Sequence, residues 1–459
     1  MSGNESQRLA RTLGTGASVF LGLGSIVGTG VFVSIGLAAG VAGPAVILSL
    51  ILAALVATAN GMSSAQLAAA YPVSGGTYEY AHRTVHPIPG FVAGWMFLAA
   101  KSASAATAAL GFAGYTLNAL ALADGGTGWL QPLALAAVVV LVLIAARGIT
   151  GSATFTIVVV SITLGALFLF VLGGLGSLDA AAGDRLWPLW RPGPEGGSPL
   201  RGLLHGAALM FVAYTGYGRI ATLGEEVREP RRTIPRAIII TLAITMALYV
   251  AVGAVGVATA GPEGLLQATE EQAAPLVVVA RTFGWPIVAP ALALGAVTAM
   301  LGVLLNLILG LSRVLLAMGR RGDMPPAVAH IAERGATPRT AVLVVGAIIL
   351  GLVLIGDVRV TWSFSAFTVL IYYALTNLSA LRLPSERRMF SPVIPVLGLI
   401  GSLGLAFWVE RGIWLAGLGV IVVGLLWRAI ARRAWGERTA EESAMAPSGD
   451  GAAADESRP

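Results

Sequence analysis

The chain has 459 residues, 56% of them hydrophobic and only 11% charged, with a mean hydropathy of +0.82 and a formal net charge of +6. That is far more apolar than a soluble domain needs for its core, so water is not its main solvent. Cysteine is absent, which excludes disulfides, thiolate metal sites and cysteine nucleophiles.

Apolar runs of about 20 residues, each able to cross roughly 30 Å of hydrocarbon as a helix, recur from end to end. The reading is an all-α membrane protein of about twelve transmembrane helices, at 16–40, 43–70, 88–119, 130–147, 152–176, 202–223, 234–260, 286–318, 340–356, 361–382, 391–409 and 412–431. The first run carries glycines throughout and has no small-residue cleavage site before a soluble domain, which argues against a removable signal peptide. Connections taken alternately place Arg8, Arg11, Arg83, Arg228, Arg231, Arg232, Arg320, Arg321 and Arg388 on one side, and fewer, such as Arg185, Arg281 and Arg359, on the other. The positive-inside rule then puts both termini on the cytoplasmic side of a plasma membrane. The basic loops serve topology and contact with membrane lipid; they lack the interleaved aromatics of a nucleic-acid surface, so no nucleic-acid partner is expected.

Within the first span, Gly22-Leu-Gly24-Ser25-Ile26-Val27-Gly28-Thr29-Gly30 packs four glycines into nine positions. Each costs a helix about 1 kcal/mol relative to alanine. A break in lipid survives only where it is buried in protein or lines a hydrated cavity, and its freed backbone groups can then bind something polar. The Thr29 and Gly30 amides, opening the next half-helix, would aim a positive dipole end at a carboxylate. Close helix packing through Gly24 and Gly28 is the competing reading for this span taken alone.

Two short helices are expected in connections, one in Tyr71 to Pro89 and one in Pro262 to Gly284, built from Glu270, Glu271 and the apolar Pro275 to Ala280. The sixth span repeats the interruption at Phe211-Val212-Ala213-Tyr214-Thr215-Gly216-Tyr217-Gly218-Arg219. Two broken helices five spans apart point to a binding site between inverted repeats. Carbonyls freed near Phe211, Val212 and Tyr214 would accept from an ammonium, so the pair of breaks suits a zwitterion. The only lysine, Lys101, lies halfway along the third span. A lysine there costs about 2.5 to 3.5 kcal/mol on insertion scales, so it should face the bundle. Either it donates to carbonyls at a broken helix end and holds it, or its protonation couples transport to protons. Small neighbours on its face include Ser104. Tyr214, Tyr217, Thr298 and Ser365 are further candidate lining residues, and Arg219 is a candidate inner gate. Glu225, Glu226 and Glu229 beside Arg228, Arg231, Arg232 and Arg236 suggest an ion-pair cluster. The four histidines lack metal-ligand spacing, and no cofactor or metal is expected.

Taken together, Gly24-Ser-Ile-Val-Gly-Thr-Gly-Val-Phe32, Tyr71-Pro-Val-Ser-Gly-Gly-Thr-Tyr-Glu-Tyr80, and Ala213-Tyr-Thr-Gly-Tyr-Gly-Arg-Ile-Ala-Thr-Leu-Gly-Glu-Glu226 followed by Pro230-Arg-Arg-Thr-Ile-Pro235 resemble the amino acid, polyamine and organocation transporters, in particular bacterial amino acid permeases. The resemblance implies a five-plus-five inverted repeat with broken helices one and six, plus two C-terminal helices. The corresponding organisation is a cytoplasmic N-terminus at 1–15, a transport core at 16–385 (repeats 16–176 and 202–383), helices eleven and twelve at 386–433, and a disordered cytoplasmic tail at 434–459. It also implies alternating access, substrate carboxylate on amides around Ile26, Val27, Gly28, Thr29 and Gly30, and substrate amine on carbonyls of Phe211, Val212, Ala213, Tyr214 and Gly216. Where proton-coupled relatives carry a lysine in helix five, this chain has Ser161; where arginine exchangers carry a glutamate after the helix-six glycine, it has Gly218. The expected activity is secondary transport of neutral amino acids, by proton symport or exchange, and not an enzyme. The alternatives are a cationic amino acid or polyamine exchanger and a nutrient receptor that does not transport.

Overall fold

The computed structural model describes residues 14–71, 75–122, 127–148, 153–221, 227–331 and 337–445. Among them the chain is helical throughout, with no strand. Helices α1 (Thr15–Ile26), α2 (Ile35–Ala42), α3 (Val46–Ala70), α4 (Thr77–Thr84), α5 (Pro87–Ala119), α6 (Leu130–Ala146) and α7 (Ala153–Gly176) make up the first half. The second half runs through α8 (Ala182–Leu186), α9 (Pro199–Tyr214), α10 (Gly218–Ala221), α11 (Pro230–Gln272), α12 (Pro275–Ala280), α13 (Val288–Arg320), α14 (Arg339–Val353), α15 (Val358–Leu381), α16 (Val393–Ala406) and α17 (Arg411–Met445).

Helices occupy each of the twelve expected spans. Among the described residues, seven helical stretches are long and apolar enough to cross a membrane, and α1, α6, α14 and α16 are apolar but shorter. Lipid-facing character follows from what is left exposed: Val140, Leu143, Phe168, Ile400, Leu403 and Leu426 point outward from the bundle, as a hydrocarbon solvent requires. The fold is that of a multi-pass membrane protein.

The bundle is organised around α5, which packs against both α13 and α15. Its middle, from Ala100 to Ala109, is entirely buried and made almost wholly of alanine, serine and threonine. Lipid offers no hydrophobic drive for helix association, so small residues that let backbones approach supply the packing. Polar ties reinforce it: Ser104 and Ser365 hydroxyls lie 2.7 Å apart and those of Thr107 and Thr361 2.8 Å apart, each pair joining α5 to α15.

Two turns show the backbone logic. Gly43 adopts φ +60° between α2 and α3, where a Cβ would come within 3.1 Å of the Gly193 backbone. Gly261 at φ +73° kinks α11 and separates its first part from a segment ending at Gln272. Short helices form in both connections, as α4 and α12, but Glu270 and Glu271, expected in the second, end α11 instead. The last helix differs from expectation. It runs to Met445, beyond residue 433, so the segment read as a disordered tail begins helical; its remainder from residue 446, like residues 1–13, Glu225 and Glu226, lies outside the described residues.

Candidate substrate site

The first break lies where the sequence places it. Helix α1 ends at Ile26, Val27 is extended (φ −77°, ψ 106°), and a π-helical turn over Gly30–Ser34 leads into α2. A helix start leaves its first amides without intrahelical partners, and no backbone carbonyl among the described residues accepts from Gly28 or Thr29. The Thr29 hydroxyl is likewise buried and unpartnered. The second break follows α9, where a 3-10 turn over Thr215–Tyr217 joins α9 to α10.

The two breaks touch. A Cβ on Gly30 would lie 2.3 Å from the Ala213 Cβ, and one on Gly216 would lie 2.1 Å from the Ser25 carbonyl oxygen. Glycine is needed at both positions because one interrupted backbone presses on the other. Tyr249 of α11 donates to the Ile26 carbonyl at 3.0 Å, satisfying one of the acceptors at the end of α1. From α13 the face toward Gly28 is formed by Val303 and Ala299.

Lys101 sits at the second break. Its ammonium, buried, donates to the Thr215 hydroxyl at 2.7 Å, and that hydroxyl donates to the Val212 carbonyl at 2.7 Å. The Thr215 amide donates to the same carbonyl, so Val212, expected to offer a free acceptor, has none to spare. No ion pair among the described residues includes Lys101. Trp362 of α15 donates to the Leu209 carbonyl at 2.9 Å and Tyr373 donates to the Thr215 carbonyl at 3.3 Å. Tyr373 also packs edge-on against Phe211 and at a tilt against Tyr217, while Tyr214, its hydroxyl buried and unpartnered, packs against Tyr249.

The structure therefore brings together Ile26 to Gly30, Phe211 to Gly216, Tyr217 and Lys101. Ser104 and Ser365 meet, but their hydroxyls satisfy each other. Three expected residues stand apart. Ser161 is exposed on α7 and bonded to the Ile157 carbonyl. Thr298 is tied to carbonyls of Leu294 and Gly295, one residue off the Ala299–Val303 face. Arg219 is exposed on α10. The sequence reading missed Thr215, Tyr249, Trp362 and Tyr373. Their signal, a hydroxyl or indole buried in an apolar span with a donor to place, was present but named no partner.

An ion-pair network closes the opposite end of α9 and α15. Arg359 reaches Glu195 at 2.6 Å, Glu410 at 3.0 Å and Glu270 at 3.6 Å, and His205 lies 3.4 Å from Glu410. Burial pushes the Glu410 carboxyl up, but the neighbouring His205 imidazole, backbone donors and the Arg359 guanidinium outweigh it and hold the group at about 2.

Breaks of this kind, facing each other inside a helical membrane bundle, define a transport protein, and comparison with known proteins agrees. The amino acid permease family matches residues 17–444, and the chain belongs to that family, whose members are transporters and not enzymes. An uncharacterized transporter of Mycobacterium tuberculosis is 40% identical over 437 residues, covering 93% of each chain. A methylthioribose transporter of Bacillus subtilis is 29% identical, covering 92% of this chain and 94% of its own. A branched-chain amino acid permease of the same species is 28% identical, covering 74% and 73%.

Proposed function

We propose that this protein is a secondary transporter of neutral amino acids, working by alternating access around the paired breaks and driven by proton symport or exchange. The observation that carries the reading is the contact of the two interrupted backbones, Gly30 on Ala213 and Gly216 on Ser25. It sets the unpartnered amides of Gly28 and Thr29 and the unpartnered Thr29 and Tyr214 hydroxyls beside the end of α9. The amides receive the substrate carboxylate, and the carbonyls of Phe211 and Tyr214 receive its ammonium.

Among the described residues gathered at the breaks there is no acidic side chain, and the charge present is the Lys101 ammonium. A fixed cation repels a cationic side chain, which favours neutral substrates. Lys101 holds the second break through Thr215, whatever its part in coupling. The described helices fit a core of two inverted repeats followed by α16 and α17, twelve spans in all. The arginine-rich loops support a topology with both termini cytoplasmic, and on this reading the membrane is a bacterial inner membrane. The deciding experiment is uptake of radiolabelled alanine, leucine, arginine and putrescine into proteoliposomes under imposed pH and sodium gradients. Accumulation of arginine or putrescine in preference to leucine overturns the neutral assignment, and binding without counterflow overturns transport itself.

A further inference from the structure

An interrupted helix leaves carbonyls as well as amides without their intrahelical partners, and in a membrane those groups are met from inside the protein. At the first break a tyrosine from another helix stands on either side. Upstream is the Tyr249 hydroxyl of α11, donating to the Ile26 carbonyl. Downstream, the Tyr115 hydroxyl of α5 donates at 2.7 Å to the carbonyl of Phe32, inside the π-helical turn. Both side chains are fully buried, and the Tyr115 and Phe32 rings meet edge to face with centroids 5.7 Å apart. The amides of Gly28 and Thr29 lie between the two carbonyls.

Each tyrosine comes with a glycine one turn away on the same face of its helix. On α5 a Cβ on Gly111 would lie 2.8 Å from Val33 Cγ2, and on α11 a Cβ on Gly253 would lie 3.5 Å from Ile35 Cδ1. Small residues let helices approach, so α5 and α11 both run against the segment that follows the break. Inside that segment the bonds are local: the Gly28 carbonyl accepts from the amides of Val31 at 3.1 Å and Phe32 at 3.2 Å, and the Ser34 hydroxyl donates to the Gly30 carbonyl. Local bonds give the segment its shape and travel with it. Its place in the bundle is set by ties from other helices, and a π-helical turn, which departs from the α-helical register, is a segment that such ties can shift.

We propose that Tyr115 and Tyr249 are positioning residues for the carboxylate of the substrate, holding the Gly28 and Thr29 amides in the spacing and direction that a carboxylate requires. The inference rests on the reading of those amides as the carboxylate site and names the side chains that make the site selective. The tyrosines act through the backbone and not on the substrate, since each hydroxyl is spent on a carbonyl. A hydrogen bond weakens steeply as its distance and angle depart from ideal. Bonds to an ionised acceptor are roughly twice as strong as neutral ones, so misplaced amides cost a carboxylate more than they cost an alcohol in the same place. Replacing either tyrosine by phenylalanine keeps the ring against Phe32 or Tyr214 and removes only the tie.

The test is counterflow of radiolabelled leucine and alanine by the full chain in proteoliposomes, with unlabelled leucine, leucinol, alanine and alaninol as competitors. Each alcohol keeps the ammonium and side chain of its amino acid and lacks the carboxylate. Y115F and Y249F are each expected to lower the preference for leucine over leucinol about three- to tenfold, the loss of one hydrogen bond, with leucinol binding within about twofold of wild type. Y373F, which acts at the break that receives the ammonium, should weaken both competitors equally. Where a variant no longer transports, the same four compounds are compared by calorimetric binding to the purified protein. An unchanged preference in Y115F and Y249F, or equal weakening of leucine and leucinol such as a merely structural role gives, overturns the inference and leaves the carboxylate site standing. A wild type that takes each amino acid and its alcohol alike, or takes neither, overturns that site and the inference with it.

Discussion

Replacing Gly30 by alanine would place a methyl carbon 2.3 Å from the Ala213 Cβ and 2.7 Å from its Cα. Carbon atoms settle at about 3.5 Å or more, so the two breaks must separate by about 1 Å. Rotamer changes cannot relieve this, because an alanine methyl and a backbone atom are the obstacles. Overpacking of this kind costs about 1 to 3 kcal/mol, and a displacement of about 1 Å at a positioned site reduces rate by up to roughly a hundredfold. Gly216→Ala meets the Ser25 carbonyl oxygen at 2.1 Å and should behave alike, whereas Gly218→Ala finds its nearest atom, the Tyr373 hydroxyl, at 3.8 Å. The assay is initial uptake and counterflow of radiolabelled leucine in proteoliposomes of matched protein content, with Tm measured on the same preparations. Uptake should fall roughly tenfold or more in the first two variants and stay within about twofold in the third. Wild-type uptake by Gly30→Ala would refute the argument that the contact of the breaks builds the site.

Lys101→Met removes a charged hydrogen bond worth about 1.5 to 3 kcal/mol and should slow counterflow about tenfold or more. In the same proteoliposomes, retained accumulation under a pH gradient would confine Lys101 to holding Thr215 and deny it a coupling role. Tyr373→Phe loses only the 3.3 Å hydrogen bond to Thr215 and keeps the ring against Phe211 and Tyr217, so leucine affinity should fall less than about tenfold; an equal loss in Tyr373→Phe and Tyr373→Ala would assign the role to the hydroxyl alone. Glu410 is held at about 2, below its unfolded value. Its contribution to stability is therefore full above the ordinary carboxylate range and lost as pH falls from there toward about 2. Tm differences between wild type and Glu410→Gln should be constant from pH 8 to 6 and shrink below about 4.5; a difference that shrinks between pH 8 and 6 would contradict this.

Much of the architecture was written in composition and spacing. Lipid forces helices to be apolar over a fixed length, so the apolar helical runs could be read directly. Glycine clusters inside such runs are costly enough in lipid to mark both interruptions, and a single lysine among small residues had to lie inside the bundle. These are local properties, each set by a residue and its neighbours in sequence. Partners were not legible in the same way. That Lys101 reaches Thr215, that Tyr249 takes the Ile26 carbonyl and Tyr373 the Thr215 carbonyl, and that Ser104 and Ser365 spend their hydroxyls on each other all depend on how helices far apart in sequence cross. Rotation about a helix axis decided the rest: one residue of offset, about 100°, turns Thr298 away while Ala299 and Val303 face Gly28, and Ser161 looks outward from α7. A hub at Asp323 gathers α4, the end of α13 and α17 from more than 300 residues of chain. The sequence by itself determined where helices form and where they break; only tertiary packing decided which buried donor meets which acceptor, because hydrogen-bond partners are chosen by geometry that residue spacing does not encode.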